Sequence, residues 1–78
     1  MSVGKKSMSK LYSSREITSV LERLKFFFVS QKGSHAKYKD DKGNITIIPM
    51  GKKEIPEGTF RSILKQADIT LSEFKDNL

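Results

Sequence analysis

The chain contains one histidine, His35, in the segment Lys32-Gly33-Ser34-His35-Ala36-Lys37-Tyr38-Lys39. An imidazole titrates near neutral pH and can move a proton to or from a hydroxyl. If His35 to Lys39 is an alternating strand, His35, Lys37 and Lys39 project from one face, while Ala36 and Tyr38 project from the other, assigned to the core. Lys32 lies across the Gly33-Ser34 turn from His35. Cleavage of a phosphodiester needs a proton acceptor on the attacking hydroxyl and positive charge at the phosphoryl oxygens. RNA brings its own nucleophile, the 2′-hydroxyl, so one imidazole on a basic surface is a minimal ribonuclease. A second proton-transfer group is missing from the obvious candidates, and Tyr38 could serve only if it left its core-facing position. The bland reading makes Lys37 and Lys39 ordinary solubilising residues. From these residues alone, nuclease activity and plain RNA binding stand level.

Other candidates are weaker. Lys52-Lys53 could clamp phosphates or simply be a solvated loop. Arg61 and Lys65 sit four apart on a helix and could touch a duplex backbone, although exposed basic residues there usually do nothing specific. Phe26 and Phe28 alternate with Phe27 and Val29. One pair could stack on bases, but aromatic residues in a central strand are more often core. If one face leaves them exposed, a protein partner is what would cover them.

Composition narrows the classes. There are no cysteines, which removes disulfides, thiolate zinc sites and cysteine nucleophiles. One histidine allows no Asp–His ligand cluster, so neither metal nor cofactor is expected. The formal net charge is +6, which favours a polyanionic partner. Residues 1–39 carry nine basic and two acidic side chains, against six and seven in residues 40–78, so the positive footprint lies in the first half. No apolar run approaches the ~20 residues of a membrane span, and Met1 to Lys10 has no apolar signal-peptide core. A cytoplasmic protein with no membrane role is the expectation.

The elements that must position His35 are legible as patterns. Ser13-Ser14-Arg15-Glu16 reads as a capping box with Ser13 as N-cap and Glu16 at N3, Ser14 being the alternative cap, followed by an apolar stripe of Ile17, Val20, Leu21 and Leu24 on a helix ending near Lys25. Phe26 to Ser30 reads as a strand, apolar on both faces and therefore expected to be central. Gln31 to Ser34 is a turn, His35 to Lys39 the second strand, Asp40 to Asn44 a hairpin loop, and Ile45 to Ile48 the third strand, ended by Pro49. A lysine-rich loop leads to a helix capped by Thr59, with Phe60, Ile63, Leu64 and Ala67 inward and Arg61, Ser62, Lys65 and Gln66 outward. Thr70-Leu71-Ser72-Glu73 opens a short last helix anchored by Leu71 and Phe74. The fold class is α+β, in the order α-β-β-β-α plus a short C-terminal helix. A three-stranded antiparallel sheet carries its helices on one face, like a double-stranded-RNA-binding domain. Residues 1–10 read as a flexible basic tail and 11–78 as a single domain.

Three segments together carry a family pattern. They are Tyr12-Ser13-Ser14-Arg15-Glu16, then Gln31-Lys32-Gly33-Ser34-His35 with Tyr38, then Gly58-Thr59-Phe60-Arg61-Ser62-Ile63-Leu64-Lys65-Gln66-Ala67. The chain resembles the HicA, or YcfA-like, toxin family from about Leu11 to Phe74. The resemblance implies an mRNA interferase of a toxin–antitoxin pair, with His35 at the family's catalytic position. It implies a HicB-like antitoxin that covers this histidine and blocks RNA access. Any DNA-binding segment would belong to that antitoxin, so direct DNA binding by this chain is not expected. Lys32, Lys37, Lys39, Lys52 and Lys53 are the candidate phosphate contacts. The chain departs from the pattern at three places. Lys25 stands where many members have glycine, and Asp68 where a helix-capping glycine is common. A second histidine found in many members after the strand-ending proline is absent, with Met50-Gly51-Lys52-Lys53 in its place. Two rival readings are a non-catalytic RNA-binding module and an interaction protein defined by its antitoxin.

Overall fold

The computed structural model describes residues 10–78. The tail expected over residues 1–10 lies outside them except for Lys10, whose ammonium stands 5.6 Å from the centroid of the Tyr12 ring and 3.8 Å from a Glu16 carboxylate oxygen.

Helix α1 spans Ser14–Arg23. The capping box is complete: the Ser13 hydroxyl accepts from the Glu16 amide at 3.0 Å, and the Glu16 carboxylate accepts from the Ser13 amide at 2.9 Å. These bonds satisfy donors that a helix start otherwise leaves open. The helix stops slightly earlier than the apolar stripe suggests. Leu24 is its C-cap, and Lys25 turns the chain at a φ of 74°. Phe26 then folds back, its amide donating to the Leu21 carbonyl at 2.9 Å.

Strands β1 (Phe27–Lys32), β2 (His35–Lys39) and β3 (Ile45–Pro49) form an antiparallel sheet in the order β1-β2-β3. This corrects the expectation that the Phe26–Ser30 segment is the central strand. Two tight hairpins make a meander, in which the strand that is second in sequence lies in the middle. Phe26 alone drops into the core, while every residue of β1 is exposed. A bulge interrupts the β1–β2 register between Phe28 and Ser30. In β2 and β3 the alternation holds, with Ala36, Tyr38, Thr46 and Ile48 buried.

Helix α2 spans Glu57–Ala67, and α3 spans Leu71–Asp76. Thr59 is not the cap of α2. The N-cap is Pro56, which makes no side-chain cap bond, and its carbonyl accepts from the Phe60 amide at 2.9 Å. Proline needs no amide partner and presets its φ, so the chain enters the helix earlier than Thr59. The second capping box forms as expected, with Thr70 and Glu73 exchanging bonds of 2.8 and 3.0 Å. Phe74 anchors α3 in the core, but Leu71 stays largely exposed.

The core lies between the helices and the Ala36/Tyr38/Thr46/Ile48 face of the sheet. Tyr12, Phe60 and Phe74 meet there in tilted and edge-to-face contacts, with ring centroids 4.8 to 5.2 Å apart. Such geometry aligns positive ring edges with negative faces. Among the described residues, nothing packs on the other sheet face.

Candidate nucleic-acid interface

The register across the sheet assembles the site. Lys32, His35 and Pro49 lie directly opposite one another on β1, β2 and β3, and Ser30, Lys37 and Ile47 form the next row. Phe27, Lys39 and Ile45 form the row nearest the far hairpin. Directly opposed residues of an antiparallel pair share a face. His35, Lys37 and Lys39 are exposed, whereas Ala36 and Tyr38 between them are buried, so these rows make up the open face. Lys32 and Lys37 flank His35 closely. Lys39 is four residues along the strand from His35, which puts it about 13 Å away.

The turn that presents His35 is local chemistry. Gly33 occupies the first central position of a two-residue hairpin at a φ of 61°, where a side chain would be strained. The Gln31 side-chain amide donates to the Gly33 carbonyl at 3.0 Å and braces the turn.

Beyond Pro49 the ladder continues by one bond, from the Met50 amide to the Ser34 carbonyl at 2.6 Å. This holds the start of the lysine-rich loop beside the residue preceding His35. The buried Ser14 then ties the same loop to the start of α1. Its hydroxyl donates to the Pro49 carbonyl at 2.6 Å and accepts from the Lys52 amide at 3.0 Å. Its own amide donates to the Lys52 carbonyl at 3.0 Å. The result is an open groove between the start of α1 and residues 50–53, lined by Arg15, Lys52 and Lys53 and, among the described residues, by no carboxylate. Arg15 was not among the sequence candidates. Its signal was there, since an arginine two residues after the capping Ser13 projects where the α1 start meets the loop, but that loop is 38 residues away from Ser14 in sequence and only the fold brings it near.

Other candidates fall away from this surface. Arg61 is engaged by Glu57 at 2.8 and 3.0 Å, on a helix packed against the opposite side of the sheet. Gln66, expected to face outward, accepts from the Thr46 hydroxyl at 2.9 Å and the Ile47 amide at 3.2 Å, and so pins α2 to β3. Tyr38 is buried on the core side beside Thr18. Burial, reinforced by the nearby Glu22 carboxylate, pushes its hydroxyl above the ordinary phenol range. It cannot serve His35 as a proton-transfer partner. At the far hairpin, the Asn44 side chain and backbone amides hold the Asp40 carboxyl below its ordinary value and close the loop. Among the described residues, no group of three His, Asp or Glu side chains gathers as a metal site. No helix among them is long and apolar enough to cross a membrane.

A three-stranded antiparallel sheet with helices on one face and a basic open face defines a double-stranded-RNA-binding-domain-like α+β protein. The family model for the HicA toxin of bacterial toxin–antitoxin systems matches residues 14–69, well over half of the chain and all of the sheet. The chain belongs to the HicA toxin family, and membership implies an antitoxin partner. No curated protein matches the chain.

Proposed function

We propose that the chain is the toxin of a type II pair, acting as a metal-independent endoribonuclease on mRNA and inhibited by a HicB-like antitoxin. The observation that carries this reading is the placement of the one imidazole. His35 is exposed at the end of the open face, between Lys32 and Pro49, with Lys37 in the adjoining row and the Lys52–Lys53 loop bonded to its neighbour Ser34. In the proposed reaction the RNA 2′-oxygen attacks the adjacent phosphorus and the bond to the 5′-oxygen breaks. The 2′-hydroxyl loses its proton, the 5′-oxygen gains one, and a 2′,3′-cyclic phosphate remains. His35 moves a proton as general acid/base. Lys32 and Lys37 offset charge at the phosphoryl group. Lys39 on one side, and Lys52, Lys53 and Arg15 on the other, hold flanking phosphates.

Incubation of a single-stranded RNA with wild-type and His35→Ala protein in saturating EDTA tests this. Wild type should leave 2′,3′-cyclic phosphate ends and spare DNA of the same sequence. General acid–base catalysis contributes about 100-fold or more, so His35→Ala should cut slower by at least that factor. Growth arrest on induction of wild type alone should accompany it. Cleavage by His35→Ala at the unmutated rate refutes the reading.

A further inference from the structure

Beyond the row that holds His35, the open face has a different character. Phe27 is 48% exposed, Val29 45%, Ile45 43% and Ile47 36%. The register gathers them around Lys37 and Lys39, since Phe27 and Ile45 flank Lys39, and Ile47 flanks Lys37 on one side with the bulged Val29 region on the other. Among the described residues no helix covers this side, and no strand pairs with the outer edge of β1. A small protein that leaves several large apolar side chains together in water is presenting a contact surface.

Three of the four apolar residues are aliphatic. Bases are held by stacking on aromatic rings or guanidinium planes, which Val29, Ile45 and Ile47 do not offer. They do suit the apolar side chains of a protein. The two lysines within the patch have no acidic neighbour in its rows, and neither forms an ion pair among the described residues. A second copy would set lysines against lysines in a molecule of net charge +6, which repels. The surface therefore calls for a partner that brings apolar side chains together with carboxylates.

We infer that this patch, anchored by Phe27 and Ile45, is the docking surface of an acidic antitoxin, and that it is separable from the RNA-cleaving end at His35. The inference rests on the proposed toxin reading for the partner's role. Docking there places a protein over Lys37 and Lys39, which the RNA also needs, and inhibition follows by competition for those two charges. The anchoring residues themselves take no part in RNA handling.

The test uses the full chain with Phe27→Ser and Ile45→Ser, made singly and together in a His35→Ala background. Binding of its purified cognate antitoxin, and of a short single-stranded RNA, is measured for each. Both side chains are surface residues, so thermal melting should stay near that of the parent, and the single Ile45→Ser variant serves if the double does not fold. The double variant should bind antitoxin about 100-fold more weakly, about tenfold for each lost anchor. RNA binding should stay within about twofold, since neither Phe27 nor Ile45 carries a charge or donor to offer a phosphate. Unchanged antitoxin affinity overturns the inference. A parallel loss of RNA binding overturns it in favour of a base-stacking platform. A parent that sediments as a dimer, dispersed by the substitutions, makes a second copy the occupant. Because these measurements use the inactive background, an active His35→Ala protein would defeat the nuclease reading and leave this docking result standing.

Discussion

At the scale of single residues, the backbone explains two departures that the family resemblance marks. Lys25 and Asp68 hold φ values of 74° and 59°. Both lie in the left-handed region, where a Cβ crowds the following carbonyl and glycine is the undemanding choice. Lys25 turns the end of α1 into β1, and Asp68 ends α2, its amide donating to the Leu64 and Lys65 carbonyls. Aspartate tolerates this conformation better than lysine does. Lys25→Gly should therefore stabilise the fold by about 0.5–1 kcal/mol, since the strain removed exceeds the added unfolded-state freedom. Asp68→Gly should gain less. Urea titration of both variants beside wild type checks the order, and a destabilised Lys25→Gly would show that its side chain contributes a contact. His35 is the opposite case. Its exposure and face followed from strict alternation in five residues, because a side chain's direction on a strand depends only on its position along it.

At the scale of elements, the site depends on one buried hydroxyl. Ser14 joins the start of α1, the end of β3 and the lysine-rich loop through its bonds to Pro49 and Lys52. Ser14→Ala would leave the Pro49 carbonyl and the Lys52 amide each without a partner. An unsatisfied buried group costs about 1–3 kcal/mol, and that range is the expected loss in a denaturant titration. The same change frees the loop that carries Lys52 and Lys53, so RNA affinity should drop even where the protein remains folded. A drop in stability with full RNA affinity would mean that the loop holds its position without the serine. The sequence read as a capping serine on one side and a lysine loop on the other, and nothing local joined them. Both capping boxes were legible because their partners are three residues apart. Whether a strand is central depends instead on hairpin connectivity and on where the helices lie. That is why the apolar run Phe27-Phe28-Val29 read as interior and is found on an exposed edge. The start of α2 at Pro56 was hidden for a related reason, since Thr59 is the better cap by type and only the path of the loop sets the start at Pro56.

At the scale of the whole molecule, a net charge of +6 draws any polyanion, so weak RNA binding alone says little about a site. What separates a site from diffuse attraction is how binding responds to salt when particular charges are removed. Each phosphate neutralised on a single strand contributes about −0.7 to the slope of log K against log salt. If Arg15 and the five lysines of the open face and the adjoining groove all engage phosphates, the slope should be about −4. Replacing Lys52 and Lys53 together by alanine should make it shallower by about 1.4, as two contacts are lost. Lys65→Ala is the control. It removes one unit of the same net charge from α2, which packs against the other side of the sheet, and it should leave the slope unchanged. Filter-binding titrations of a short RNA at several salt concentrations distinguish the cases. If Lys65→Ala lowers the slope per charge as much as the loop variant does, binding follows net charge rather than the surface around His35. If only the loop and sheet lysines matter, the RNA runs across the sheet end at His35 and into the groove beside Ser14, where the fold has gathered cations from α1, β1, β2 and the lysine-rich loop.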